Sequence, residues 1–212
     1  MMTNTPKLNF LSRINVQLPE RRIFTRLGFN HHKSKVEEKK LLEYRLKIDV
    51  AFHLCHTKGV WFETNIIDCD IETGAIKLAC GIKFFSKKLA KLLKNSNAVA
   101  LFAATVGKDI IEHRDELIAN KDSATALIYD AVGGEVVDEA MNFIQKIIAQ
   151  TVSRTSRKLT KMRFSAGYGD LDLSAQKDFY DYLKLNDLGI SLNDNFIMHP
   201  EKSVTAIIGI EQ

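Results

Sequence analysis

The chain has 212 residues, 45% hydrophobic and 26% charged, which excludes collagen, a coiled-coil rod and wholesale disorder and leaves enough chain for a real core. Thirty basic against 26 acidic residues leave a net charge of +4, too mild an excess to mark a nucleic-acid binder. No apolar run reaches the roughly 18–20 residues of a membrane helix, and the three cysteines have no disulfide or zinc spacing, so a cytoplasmic protein with no membrane or nucleic-acid partner is expected.

Residues 1–10 are polar and hold no signal-peptide core, and 1–17 read as a loose N-terminal arm, with 18–212 as a single domain. Glu20 to Leu27 predicts a short helix stopped by Gly28, and Lys35 to about His53 a long half-buried helix. Gly59 to Ile71 is rich in β-branched and aromatic residues. Glu72-Thr73-Gly74 interrupts it and Ala75 to Cys80 resumes it, a hairpin pattern. Ser86 is placed to cap a basic helix ending near Lys94, and the apolar run Ala98 to Ala104 predicts a strand buried on both faces.

A helix follows to about Ala119, and Asp122 or Ser123 opens a longer one. There Val132, Val136, Ala140, Ile144 and Ile148 recur at steps of four along one face. After the turn-rich segment 163–170, Ser174 is expected to cap a helix to Asn186. Asn193 to Met198 and Val204 to Ile210 then read as two final strands around a His199-Pro200 turn. The fold class is α+β, a mixed but mostly antiparallel twisted sheet with flanking helices.

Several constellations invite chemistry. Thr105-Val106-Gly107-Lys108 lies between a strand and a helix, as a phosphate loop would. It lacks the earlier glycine and the Ser/Thr after lysine, so it reads as a turn. His53, Cys55, His56, Cys69 and Cys80 have no paired zinc-ligand spacing, and no Ser lies in a nucleophile elbow. The run Arg154, Arg157, Lys158, Lys161 and Arg163 is either a solvated helix end or a docking face for an acidic partner.

Gly133-Gly134, inside an otherwise periodic helix, costs roughly 1 kcal/mol per residue against alanine. It marks either a helix break or the close approach of another backbone or a ligand, with the carboxylate of Glu135 alongside. The segment Arg163-Phe164-Ser165-Ala166-Gly167-Tyr168-Gly169-Asp170 combines a bidentate guanidinium, free backbone N–H donors and a phenol, which suits a small zwitterion or a nucleoside.

At this loop Arg163, Gly167 and Tyr168 match R-x-x-x-G-Y, the AdoMet-binding motif of the reactivation domain of cobalamin-dependent methionine synthase. The chain resembles that domain in its short stand-alone form. The stretch Leu188 to Val204, with Met198 and Pro200, resembles another family segment. So do Leu101 to Gly107, Asp130 to Gly134 and Arg21 to Gly28, all in the family's order.

The resemblance implies a subunit that binds S-adenosylmethionine and takes part in the reductive remethylation of a corrinoid methionine synthase or related methyltransferase. Cobalamin would be carried by that partner and the electron supplied by a flavodoxin-like donor. Arg163 would grip the methionyl carboxylate, Ala166 and Gly167 would contact the ligand through their backbone, and Tyr168 would lie towards the corrinoid. Glu135 would be the acidic ligand. The positioning of two cofactors requires no acid–base pair of the protein. The alternative reading is a non-catalytic docking subunit whose AdoMet site has decayed. Ala166 stands where the family has proline, and Asn193-Asp194-Asn195 departs from its usual sequence.

Overall fold

The computed structural model describes residues 7–29 and 37–212. The strands are β1 (Asn9–Leu11), β2 (Lys58–Cys69), β3 (Ala75–Leu78), β4 (Lys83–Phe85), β5 (Ser96–Thr105), β6 (Lys158–Leu159), β7 (Ser191–Leu192), β8 (Met198–His199) and β9 (Ser203–Glu211). The helices are α1 (Glu20–Arg26), α2 (Glu38–His53), α3 (Lys87–Leu93), α4 (Asp109–Ala119), α5 (Ser123–Ser153) and α6 (Gln176–Leu183). The main sheet has the order β4-β3-β2-β5-β9-β6, with β1 also on β2, and each pairing between these strands is antiparallel. The expected α+β class with a mostly antiparallel sheet is therefore observed.

The sheet is covered on both faces, and the period-two alternation of its central strands assigns each side chain to one layer. Ala98, Ala100, Phe102 and Ala104 of β5, with Ala206, Ile208 and Ile210 of β9, face the core under α1, α2, α4 and α5. Val99, Leu101 and Ala103, with Ile207, face the second core under α3 and α6. The uninterrupted apolar run of β5 is thus a strand buried on both sides, a pattern more usual in parallel sheets.

Sequence signals set several boundaries. Ser86 accepts a hydrogen bond from Leu89 N and starts α3, and Asp122 does the same for α5 through Thr125 N. Along α5 the predicted stripe Val132, Val136, Ala140, Ile144 and Ile148 is fully buried.

Four expectations change. The described part of the arm is not loose: β1 pairs with β2, Ile14 N donates to Thr57 O at 2.9 Å, and Ile14 is buried. Residues 1–6 of that arm, and 35 and 36 at the start of the expected second helix, lie outside the described residues. Ser174 is not a cap. Asp172 accepts from Ser174 N at 2.8 Å and opens a 3-10 turn ahead of α6, which ends at Leu183 with Lys184 left-handed. Asn193 to Met198 is mostly a turn between β7 and β8, because Asn193 Oδ1 accepts from the backbone N–H of Asn195 and Ile197.

Candidate functional site

The segment 158–164 is fastened along β9. Strand β6 pairs with its end, Thr160 and Gly209 exchange hydrogen bonds, and Phe164 and Ile207 form a bridge with 2.8 Å bonds in both directions. These contacts fix the backbone on both sides of Arg163, whose side chain crosses to α5. Its Nη1 donates to Asn142 Oδ1 at 2.8 Å and to Gln145 Oε1 at 3.4 Å, and its Nη2 lies 3.4 Å from Asp138 Oδ1. The guanidinium is therefore oriented on a polar flank of the helix and still a quarter exposed, at 24%.

Beyond Phe164 the chain turns sharply. Gly167 and Gly169 have φ of 77° and 64°, values that an L side chain adopts only with strain. The donors expected to be free are used within the loop: Gly167 N–H donates to Leu171 O at 2.9 Å and Tyr168 N–H to Ser165 O at 3.1 Å. Ser165 Oγ in turn donates to Thr205 O on β9. Tyr168 is exposed and stands edge-on to Phe164, with ring centroids 5.3 Å apart. Asp170 fastens the far end of the loop to the start of α3, accepting from Ser86 Oγ and from Lys88 N. The hydroxyl bond from Ser86 leads the causes that hold its carboxyl below the usual range.

Glu135 is buried on α5, and its carboxylate is held by α1: Arg26 Nε donates to Oε1 at 2.7 Å and Arg22 Nε lies 3.1 Å from Oε2. Arg22 also pairs with Glu139. The helix runs unbroken through Gly133-Gly134, so there is no break, and what comes close is side chains where another backbone or a ligand was expected. A Cβ on Gly134 would meet Arg26 Nη1 at 2.8 Å, and one on Gly133 would meet Lys202 Cγ at 3.1 Å. The glycines admit two long cationic side chains against the helix.

The structure thus places Arg163, Ala166, Gly167 and Tyr168 on one loop, with the Arg163 guanidinium on the same helix as Glu135. Glu135 itself is bound to α1. Asp138 lies three residues beyond it, about 4.5 Å along the axis, and Asn142 a further turn away. Asp138, Asn142 and Gln145 escaped the sequence reading. Their only signal is polarity at helical spacing opposite an apolar stripe.

The basic run does not form one cationic face. Arg157 is paired with Glu63 on β2, Lys158 lies 4.0 Å from Glu211, and Arg163 faces α5, which leaves Arg154 and Lys161 exposed. A second charged knot joins α4, α5 and the segment before β9. In it Arg114 contacts Asp130 and Glu201, and Lys202 Nζ lies 2.7 Å from Asp130 Oδ1. Burial opposes ionisation of Asp130, yet the bonds from Lys202 and Arg114 outweigh it and hold its carboxyl below the usual range.

A cavity of about 860 Å³ opens elsewhere, where β2 begins and β5 ends. Its wall includes Arg13, Lys58, Phe52, His56 and the Gly107–Asp109 turn. None of the five residues expected to hold a ligand lines it. Cys55 is on its wall, and burial pushes that thiol up to about 12. Among the described residues no three His, Cys, Asp or Glu side chains converge as metal ligands, and no helix is long and apolar enough to cross a membrane.

No family model matches the chain, and neither does any curated protein. Among solved structures it matches a crystal structure of the MetH reactivation domain bound to AdoHcy, with a TM-score of 0.61 and 12% identity. The match covers 94% of this chain and 79% of that one. The likeness shows a shared fold.

Proposed function

We propose that the chain binds S-adenosylmethionine at the 163–168 loop and serves the reductive remethylation of a corrinoid-dependent methionine synthase or related methyltransferase. The observation that carries this reading is the position of Arg163. Its backbone is pinned on both sides to β9 and its guanidinium is held on α5, still partly exposed, four residues before the positive-φ Gly167. The shared fold supports it, because the matched domain was crystallised with AdoHcy, the demethylated form of the same compound.

Arg163 orients the methionyl carboxylate through a bidentate contact. The backbone at Ala166 and Gly167 lies against the ligand, using carbonyl groups and surface, since the Gly167 and Tyr168 N–H groups are spent inside the loop. The exposed phenol of Tyr168 faces the corrinoid that the partner carries. Glu135 acts indirectly, by anchoring α1 to α5 through Arg22 and Arg26. Bound there, AdoMet would supply a sulfonium methyl to the reduced cobalt of the partner's cobalamin, leaving AdoHcy, and a flavodoxin-like protein would supply the reducing electron. Arg154 and Lys161 are the cations left exposed to meet an acidic donor of that kind.

A second reading rests on the same charges. Glu135 and Arg163 both have partners within the chain, as in a docking subunit whose ligand site has decayed. Calorimetry separates the two. Losing a charged bidentate contact costs about 1.5–3 kcal/mol, so Arg163→Ala should bind AdoMet about ten- to a hundredfold more weakly than the wild type. Absence of AdoMet binding by the wild type, with the corrinoid partner present, leaves the docking subunit.

A further inference from the structure

The geometry points to a second ligand site, independent of the Arg163 loop. We infer that the cavity at the start of β2 takes a small phosphate ester, with the phosphate on Arg13 and Lys58 and an apolar body against Phe52 and Val16.

The argument begins with the backbone. Ile14 and Thr57 clasp the arm to the start of β2: Ile14 N–H donates to Thr57 O at 2.9 Å, and Thr57 Oγ1 donates to Ile14 O. This sets Arg13 and Lys58, the residues next to the clasp, on neighbouring segments of the same wall. Arg13 lies just beyond β1 and Lys58 opens β2, and like charges on paired segments repel. Here, among the described residues, neither cation has an ion-pair partner, whereas most arginines of the chain do. The other charges on the wall are already engaged. Lys108 Nζ lies 3.1 Å from Glu112 Oε1, and the carboxylate of Asp109, the acid on this wall, lies 3.1 Å from His56 Nε2 and not on either of the two cations.

The rest of the cavity sets the size and character of the ligand. A volume of about 860 Å³ falls within the roughly 300–1,000 Å³ of small-molecule sites. Apolar surface from Phe52, Val16, Leu188 and Pro200 accompanies the cations, which favours an ester with an apolar or aromatic body over a bare anion. Next to Lys58, whose register partner is Thr105, Gly107 takes φ of 83° and its N–H is held by Thr105 Oγ1 at 3.1 Å. That turn, which fails as a phosphate loop by sequence, thereby becomes one side of the site.

The test titrates the full chain with adenosine 5′-monophosphate, inorganic phosphate and adenosine, in wild type and in the double variant R13Q/K58Q. The wild type should bind the monophosphate at one site per chain. It should bind it at least about tenfold more tightly than either adenosine or phosphate, since each lacks one half of the contact. The double variant should lose about tenfold or more in affinity for the monophosphate while its AdoMet binding is unchanged. Its ligand-free melting midpoint should equal or exceed that of the wild type, because a repulsion has been removed, and this separates lost binding from lost folding. The inference is overturned by no saturable binding of the monophosphate, by equal affinity for adenosine or phosphate, or by undiminished binding in the double variant. Each titration is repeated in the Arg163→Ala background, so that a nucleoside held at the 163–170 loop is told apart from one in this cavity.

Discussion

The flank of α5 and the cavity at the start of β2 both concentrate arginine and lysine, yet they hold their charge in opposite ways. On the flank, Arg22 and Arg26 close on Glu135, and Arg163 lies on Asp138 and Asn142. In the cavity, Arg13 and Lys58 line the same wall and neither has an ion-pair partner among the described residues. An internal ion pair contributes to the native state and orients its cation, so a ligand at Arg163 competes with partners already in place. An unpaired cation contributes nothing until an anion arrives. The first region therefore links stability to binding and the second separates them.

The largest expected effect tests the first half of that contrast. Glu135→Ala removes a buried carboxylate that two guanidinium groups share, and it should destabilise the chain by about 1–3 kcal/mol. For a domain of this size that lowers the melting midpoint by about 2–4 °C per kcal/mol. A midpoint within a degree of the wild type would mean that α1 is held by its apolar residues Ile23 and Phe24 alone.

A smaller effect concerns competition at Arg163. Asp138→Asn removes the opposing charge and keeps the shape, so AdoMet should bind about two- to fivefold more tightly, the scale of a partly exposed ion pair. Weaker binding would instead make Asp138 a direct contact to the ligand. Gly134→Ala should matter least. The new Cβ pushes Arg26 off the helix, while alanine returns about 1 kcal/mol of helix propensity, so net stability should stay within about 0.5 kcal/mol by denaturant titration. A loss above about 2 kcal/mol would show that Arg26 has nowhere else to go.

Much of the fold was legible because its signals are local. The buried stripe of α5, the β2–β3 hairpin around Gly74 and the Ser86 cap each depend on residues within a few positions of one another. Reading failed where a side chain competed with the backbone. Phe196 and Ile197 look like strand residues, yet the Asn193 side chain takes the local N–H groups and Phe196 is driven to φ of 60°. It failed again for the short strands β1 and β6, whose stability comes from partners dozens of residues away.

The candidate site shows the same division. The types and order of Arg163, Gly167 and Tyr168 were readable as a ligand-binding pattern, since a guanidinium, a positive-φ glycine and a phenol carry their chemistry wherever they are placed. That Gly167 and Tyr168 N–H would be consumed inside the loop was not readable, because it depends on the turn closing on Leu171 and Ser165. By itself the sequence determined the helices and core strands, through hydrophobic periodicity and capping, together with the residue types proposed for the site. Tertiary structure alone decided which charges met: Glu135 with arginines more than a hundred residues away, Arg163 with α5, and Arg13 and Lys58 with no ion-pair partner among the described residues. Electrostatic pairing acts over a few ångströms in space, and separation along the chain carries no record of it.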